Sequence, residues 1–400
     1  MSNLSGRTLN EESMCSNDED EFFIMRKIFL VTERRADYSR FKPILKMIEK
    51  DPELDYDLVV TGIHLKEEHG YTINEIIEDG FKIFSTFEMF VEDCDTGGAM
   101  TRSLGNAMRL ITYELEKSTP DLILSGFDIA ANFAVTVAGA HMNIPVVHIQ
   151  GGEITGTIDE SIRHATSKFA HYHLAANDDA CRRLIKMGEI PSRVFSVGCP
   201  SIDAIKSVKC PSRKELLERF KLKLPYALVL QHPVTSEIGE SGFQINETLE
   251  ALLKSGIDAL MIHPNNDAGY TSIVEKINKT SIQHVPTLAL EDYIGLLTHS
   301  SMLVGNSSSG IHETPTFNIP TINIGTRQSG RLRADNVVDV GYDRDEIERA
   351  IDMCLHSQEF LEICRRCKNP YGEGDSAPKI VRLLKEINIG RNIIQKRITY

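Results

Sequence analysis

The stretch HIQGGEITGTIDESIRH, from His148 to His164, sets Glu153, Asp159, Glu160, Arg163 and His164 close together. Acids and bases so grouped can pass protons to and from a bound molecule. Gly151, Gly152 and Gly156 among them let the backbone approach a ligand. On a helix starting near Asp159, Asp159 and Arg163 are four apart and share a face, which fits a plain surface ion pair equally well.

Three further clusters have the composition of anion sites. In TERRADYSRFKPILKMIEK, Arg35 and Ser39 follow an apolar run and open a helical pattern. A helix start offers unpaired N–H groups and partial positive charge. There is no GxGxxG, so a dinucleotide site fits poorly, and Arg35 could equally pair with Asp37 as a helix cap. LQHPVTSE and IHPNNDAG carry His232, Thr235, His263, Asn265, Asn266 and Asp267 at the ends of two apolar runs. One such histidine alone reads as structural; two parallel occurrences point to a site. In VGNSSSGIHETPTFNIPTINIGTRQSGR, the N–H groups around Ser307, Ser308 and Gly310 can hold a diphosphate without lysines. Glu313 can accept from ribose hydroxyls and Arg327 can meet a phosphate with its fork, although a serine run is also an ordinary helix cap.

These residues need a frame to hold them. From Lys27 onward, short β-rich runs alternate with longer helical patterns, which predicts parallel sheet with crossover helices. KIFLV, YDLVVTG, PDLILSG, IPVVHIQ, YHLAAN and VFSVG form one series of candidate strands. YALVLQHPV, ALMIHP, QHVP, MLVGNSSSG, TINIG and VVDVG form a second. The expected α/β fold is two Rossmann-like domains in a glycosyltransferase-B-like arrangement, with the active site in the interdomain cleft. The expected boundaries are a first half at 26–200, a second at 201–375, and a C-terminal helix at 376–400 crossing back to the first half. Gly198 to Lys214, broken by prolines and charge, is the expected hinge. Residues 1–25, acidic and rich in Ser and Asn, read as a disordered leader, with Met25 a candidate natural start.

Composition narrows the function classes. A chain of 400 residues, 41% hydrophobic and 25% charged, suits a globular protein of two domains. A net charge of -13 argues against general nucleic-acid or anionic-lipid binding. No apolar run approaches the roughly 20 residues of a membrane span, so the expected location is the cytoplasm. Of eight cysteines only Cys364 and Cys367 are closely paired, with no histidine set beside them, so no metal site is expected.

With these motifs in order, the chain resembles the hydrolysing UDP-N-acetylglucosamine 2-epimerases of sialic-acid and legionaminic-acid synthesis. RADYS, GGEITGTIDESIRH, QHPVT, PNNDAG, GNSSSGIHE and GTRQ carry the resemblance, which runs from about Met25 to the C-terminal helix. It implies that Arg35, Ser39, His232, Asn265, Ser307, Ser308, Glu313 and Arg327 hold the nucleotide diphosphate, and that Asp128, in LILSGFDIAANFA, and Asp159 transfer protons. It also implies a homodimer or homotetramer and a UDP- or GDP-linked sugar, with no cofactor. Two departures stand out. Phe127 and Ile129 flank Asp128 where relatives commonly have Gly-Asp-Arg, and Gln150 replaces a catalytic glutamate of HIEGGE. An amide cannot take or give a proton at neutral pH but can orient water or substrate, which suggests an altered sugar such as a 2,4-diacetamido-2,4,6-trideoxy one.

The C2 hydrogen of an acetamido sugar lies beside no carbonyl, so the anomeric diphosphate must begin to leave before that proton does. Arginines and helix-terminal N–H groups stabilise the leaving charge. Elimination to a glycal and hydration then need at least two acid/base groups, for which Asp128, Asp159 and Glu153 are the candidates. Two other readings share this architecture: a two-domain glycosyltransferase, and a catalytically silent sugar-nucleotide binding protein.

Overall fold

The computed structural model describes residues 25–92 and 96–399; all of the expected leader except Met25 lies outside them. Two parallel sheets form. The first has the order β3-β2-β1-β4-β5-β6-β7, with β1 Arg26–Thr32, β2 Leu54–Thr61, β3 Ile83–Phe87, β4 Leu122–Gly126, β5 Val146–Ile149, β6 Tyr172–Ala175 and β7 Val194–Ser196. The second has the order β10-β9-β8-β11-β12-β13, with β8 Tyr226–Leu230, β9 Asp258–Ile262, β10 Gln283–Val285, β11 Met302–Gly305, β12 Thr321–Ile324 and β13 Val337–Val340. The fold is therefore two Rossmann-like halves.

Central strands read as continuous apolar runs because helices cover both faces. In β1, Ile28 and Leu30 join one cluster while Phe29 and Val31 join the cluster on the other face. β3, absent from the expected strands, sits at the sheet's edge, where IFSTF is mostly only partly buried and forms no apolar run. The helix Ser376–Glu386 lies against Arg35–Ile48 of the first half, contributing Ile380 and Leu384 to a core with Phe41 and Ile44. Its start is capped by the Asp203 carboxylate, which accepts from the Ser376 and Ala377 N–H groups at 3.1 and 2.9 Å. Among the described residues no helix is long and apolar enough to cross a membrane.

In each sheet the strand order reverses once, between β1 and β4 and between β8 and β11. Ligands of open α/β sheets bind beyond the carboxyl ends at such switch points. The halves also touch directly: the Gly156 N–H donates to the Arg327 carbonyl at 3.0 Å. A Cβ at Gly156 would lie 1.9 Å from the Thr326 carbonyl oxygen. Gly151 and Gly152 are equally enclosed, by His148 and by the Ala180 carbonyl. These three glycines, expected to admit a ligand, instead admit the protein's own backbone and side chains. Gly156→Ala should push the halves apart and lower stability by roughly 1–3 kcal/mol, the usual cost of overpacking. Urea unfolding measures this, and an unchanged midpoint would show the contact to be unimportant.

Candidate active site

A cavity of about 460 Å³ lies between the halves. The first half contributes Arg34, Arg35, Ser39 and Arg40, and the second contributes His232, Asn265, Ser307, Ser308, Glu313 and Arg327. All the expected nucleotide-side residues except Arg163 and Gly310 therefore border one space. Arg35 does not pair with Asp37; it reaches Glu75, the Thr287 hydroxyl and the Leu288 carbonyl, the last two across the cleft. Asp37 instead accepts from the Glu33 and Arg34 N–H groups, each at 2.9 Å. Arg34 meets Asp267 of the other half at 3.5 Å.

His232 follows β8 and is buried. Burial, with Arg327 nearby, pushes its pKa down to about 3, so the ring is neutral at physiological pH. Its Nδ1 accepts from the Asn265 N–H at 3.2 Å, which leaves the proton on Nε2 as a donor. Asn306, between β11 and the serine turn, fixes the His232 backbone through both its N–H and carbonyl at 2.7 and 2.8 Å. Glu313 accepts from the Tyr293 hydroxyl at 3.1 Å, and burial raises its pKa. Gly310 lies beneath the turn, where a Cβ would meet Thr321 at 2.6 Å, and its N–H donates to the Ser307 carbonyl at 3.1 Å.

The acids gather beside this cavity. Asp128, beyond β4, is bound by the Arg163 guanidinium. Burial opposes ionisation, but Arg163, Arg331 and Arg40 together hold Asp128 below the usual carboxylate range. Asp159 goes the other way: burial and then the Asp128 charge push it up, against Arg327 at 3.8 Å. Asp159 and Arg163 are thus not a surface pair. Arg163 is only 1% exposed, divides its fork between Asp128 and the Glu153 carbonyl, 2.9 Å away, and does not line the cavity.

Glu153 is not placed as a proton carrier. It is buried, and its carboxylate accepts from Gln150 Nε2 and His312 Nε2, each at 3.2 Å, and forms an ion pair with Arg331, whose Nε stands 3.0 Å away. Although burial resists the charge, Arg331 and His312 hold Glu153 well below the ordinary range. Gln150, one residue beyond β5 with φ 59°, is buried too, and its Oε1 has no hydrogen-bond partner among the described residues.

Sequence reasoning missed Arg40, Tyr293, His312 and Arg331. Arg40 lies over the Phe127 ring at 4.8 Å, bringing an arginine beside Asp128 where the sequence departs from Gly-Asp-Arg. His312 lies within GNSSSGIHE, but nothing in its spacing indicates a carboxylate partner from the other half.

The fold is that of two-domain Rossmann-like proteins with a ligand cleft between the halves. It superposes on the Neisseria meningitidis UDP-GlcNAc 2-epimerase bound to UDP-GlcNAc with a TM-score of 0.77 at 19% identity, over 90% of this chain and 100% of that one. Residues 46–385 match the family described as UDP-N-acetylglucosamine 2-epimerase. The chain is 34% identical to the UDP-N,N'-diacetylbacillosamine 2-epimerase (hydrolyzing) of Legionella pneumophila, over 94% of this chain and 100% of the relative. It is 32% identical to the GDP/UDP-N,N'-diacetylbacillosamine 2-epimerase (hydrolyzing) of Campylobacter jejuni, over 91% and 96%. The chain belongs to the UDP-N-acetylglucosamine 2-epimerase family.

Gln150→Glu should set a second carboxyl against Glu153 and raise the pKa of the introduced group. A folded pKa above the unfolded one gives stability that is present at low pH and lost as pH rises through the folded value. The Tm deficit of the variant against the parent should therefore be widest near about pH 8 and shrink below about pH 5. Calorimetry across that range decides it; a constant deficit would mean the new carboxyl does not meet Glu153.

Proposed function

We propose that the protein is a hydrolysing 2-epimerase. It converts a UDP- or GDP-linked 2-acetamido or 2,4-diacetamido sugar into the free manno-configured sugar and nucleoside diphosphate. The observation that carries this reading is the divergence of Asp128 and Asp159, one held ionised by arginines and the other biased toward its protonated form, beside a cleft lined with anion-binding groups. Relatives named as hydrolysing epimerases of diacetylbacillosamine nucleotides support the substrate class.

In this mechanism the diphosphate lies against the turn at Ser307 and Ser308, with His232 Nε2–H and Arg327 as further donors and Glu313 on the ribose. As the bond from C1 to the diphosphate oxygen breaks, these groups take up the negative charge. The Asp128 carboxylate removes the C2 proton, and the C1–C2 double bond forms. Asp159 then delivers its proton to C2 from the opposite face while water oxygen bonds to C1. The water's proton returns to Asp159, and Asp128 releases its own to solvent. Gln150, which cannot carry a proton, takes no part in that transfer.

Three measurements test this assignment. NMR of the reaction in D2O should show free sugar with deuterium at C2; an unlabelled product excludes the elimination route. Asp128→Asn and Asp159→Asn should each lower turnover by about 10²–10⁴-fold while leaving UDP affinity nearly unchanged. Arg327→Ala should instead weaken UDP binding in calorimetry. Aspartate variants that lose UDP, with an arginine variant that keeps it, would exchange the two roles.

A further inference from the structure

The carboxylate of Glu153 belongs to the first half, yet two of its three partners, His312 and Arg331, come from the second. All four side chains of this node are buried. His312 stands one helical turn beyond the serine turn, its ring edge-on to Tyr371 at 4.2 Å, with its carbonyl held by the Asn369 amide at 2.7 Å. Burial pushes His312 down to about 4, and an ionised carboxylate only accepts, so the neutral ring donates from Nε2.

Connections run outward on both sides. Arg331 donates to Gln328 Oε1 at 2.9 Å, the Gln328 amide donates to the Asn306 carbonyl at 2.9 Å, and Asn306 holds the backbone of His232. On the other side, Arg163 bridges the Glu153 carbonyl and the Asp128 carboxylate. Glu153 itself does not border the cavity, and both its oxygens are occupied by donors.

From this geometry we infer that Glu153 is a positioning residue, tying the nucleotide side of the cleft to the reacting carboxylate Asp128 through His312 and Arg331, and not a proton carrier. The inference rests on the reaction proposed above. Removing one partner of a buried pair strands the other's charge, whereas removing both does not. A positioning role therefore predicts strong coupling between Glu153 and Arg331; an independent chemical role for Glu153 predicts effects that multiply.

The experiment is a double-mutant cycle on the full-length protein, with turnover of a UDP-linked 2-acetamido sugar and calorimetric binding of UDP as readouts. Glu153→Gln should lower kcat by about tenfold and shift the UDP Kd by less than about threefold. Arg331→Met should be slower still, because it strands a buried carboxylate. The double variant should be faster than Arg331→Met and within about threefold of Glu153→Gln, and Arg331→Lys should retain more activity than Arg331→Met. A double variant slowed by the product of the two single effects would overturn the inference. If Arg331→Met fails to fold, comparing Glu153→Gln with the double variant still decides between the two roles: turnover within about threefold supports the tie, and a larger further loss refutes it. A parent that neither binds nor releases UDP sinks the proposed reaction and this role with it, whereas an active parent with an additive cycle sinks this role alone.

Discussion

A carboxylate withdrawn from water must be answered by donors on several sides, and Glu153 meets that condition only where the two halves converge on it. The requirement reaches well beyond one side chain. His312 has to leave the serine turn at an angle that brings Nε2 to 3.2 Å of Glu153, and the loop beyond β12 has to fold back so that Arg331 arrives beside it. Gln150 takes a left-handed backbone conformation, with its amide donating to the same carboxylate. Gly156 can carry no side chain, because the second half's backbone already occupies that volume. The relative placement of the sheets is thus fixed by polar geometry at a buried point as well as by apolar contact.

The same convergence separates two aspartates of intrinsically similar acidity. Asp128 faces Arg163, Arg331 and Arg40, which come from three different parts of the chain, and stays ionised. Asp159 has Arg327 and the Thr157 hydroxyl in opposition to burial and to the Asp128 and Asp267 charges, and the balance raises its pKa, so it retains its proton to higher pH. Neither environment exists within one half alone. Arg331 and Arg327 come from the second half, so separating the halves would remove a cation from each aspartate and admit water to both.

Much of this architecture was legible in the chain. Buried parallel strands declare themselves as apolar runs, and all but β3 were visible; in the edge strand IFSTF the apolar residues are interrupted by Ser85 and Thr86. Arg35, Ser39, His232, Asn265, Ser307 and Arg327 were recognisable because they follow strands and so stand where a ligand collects. What the spacing did not reveal was which groups answer one another. Arg163 reads as a partner of Asp159 one turn away, yet it points inward to Asp128, distant in sequence. The glycines after β5 read as ligand-facing because the same absence of a side chain serves protein and ligand alike. Arg331 and His312 act only through a contact between halves, and no local pattern marks such a contact in advance.

The amide at position 150 follows from this electrostatic arrangement. With Glu153 held ionised by Arg331 and His312, an anion 3.2 Å away would be repelled, whereas a carboxamide offers a donor to the same oxygen. Proton traffic in the proposed reaction then falls to the two aspartates alone. That division is workable because their environments have already pushed them toward opposite protonation states. Gln150 thus keeps its geometric part, with Nε2 anchored on Glu153 and Oε1 without a partner among the described residues.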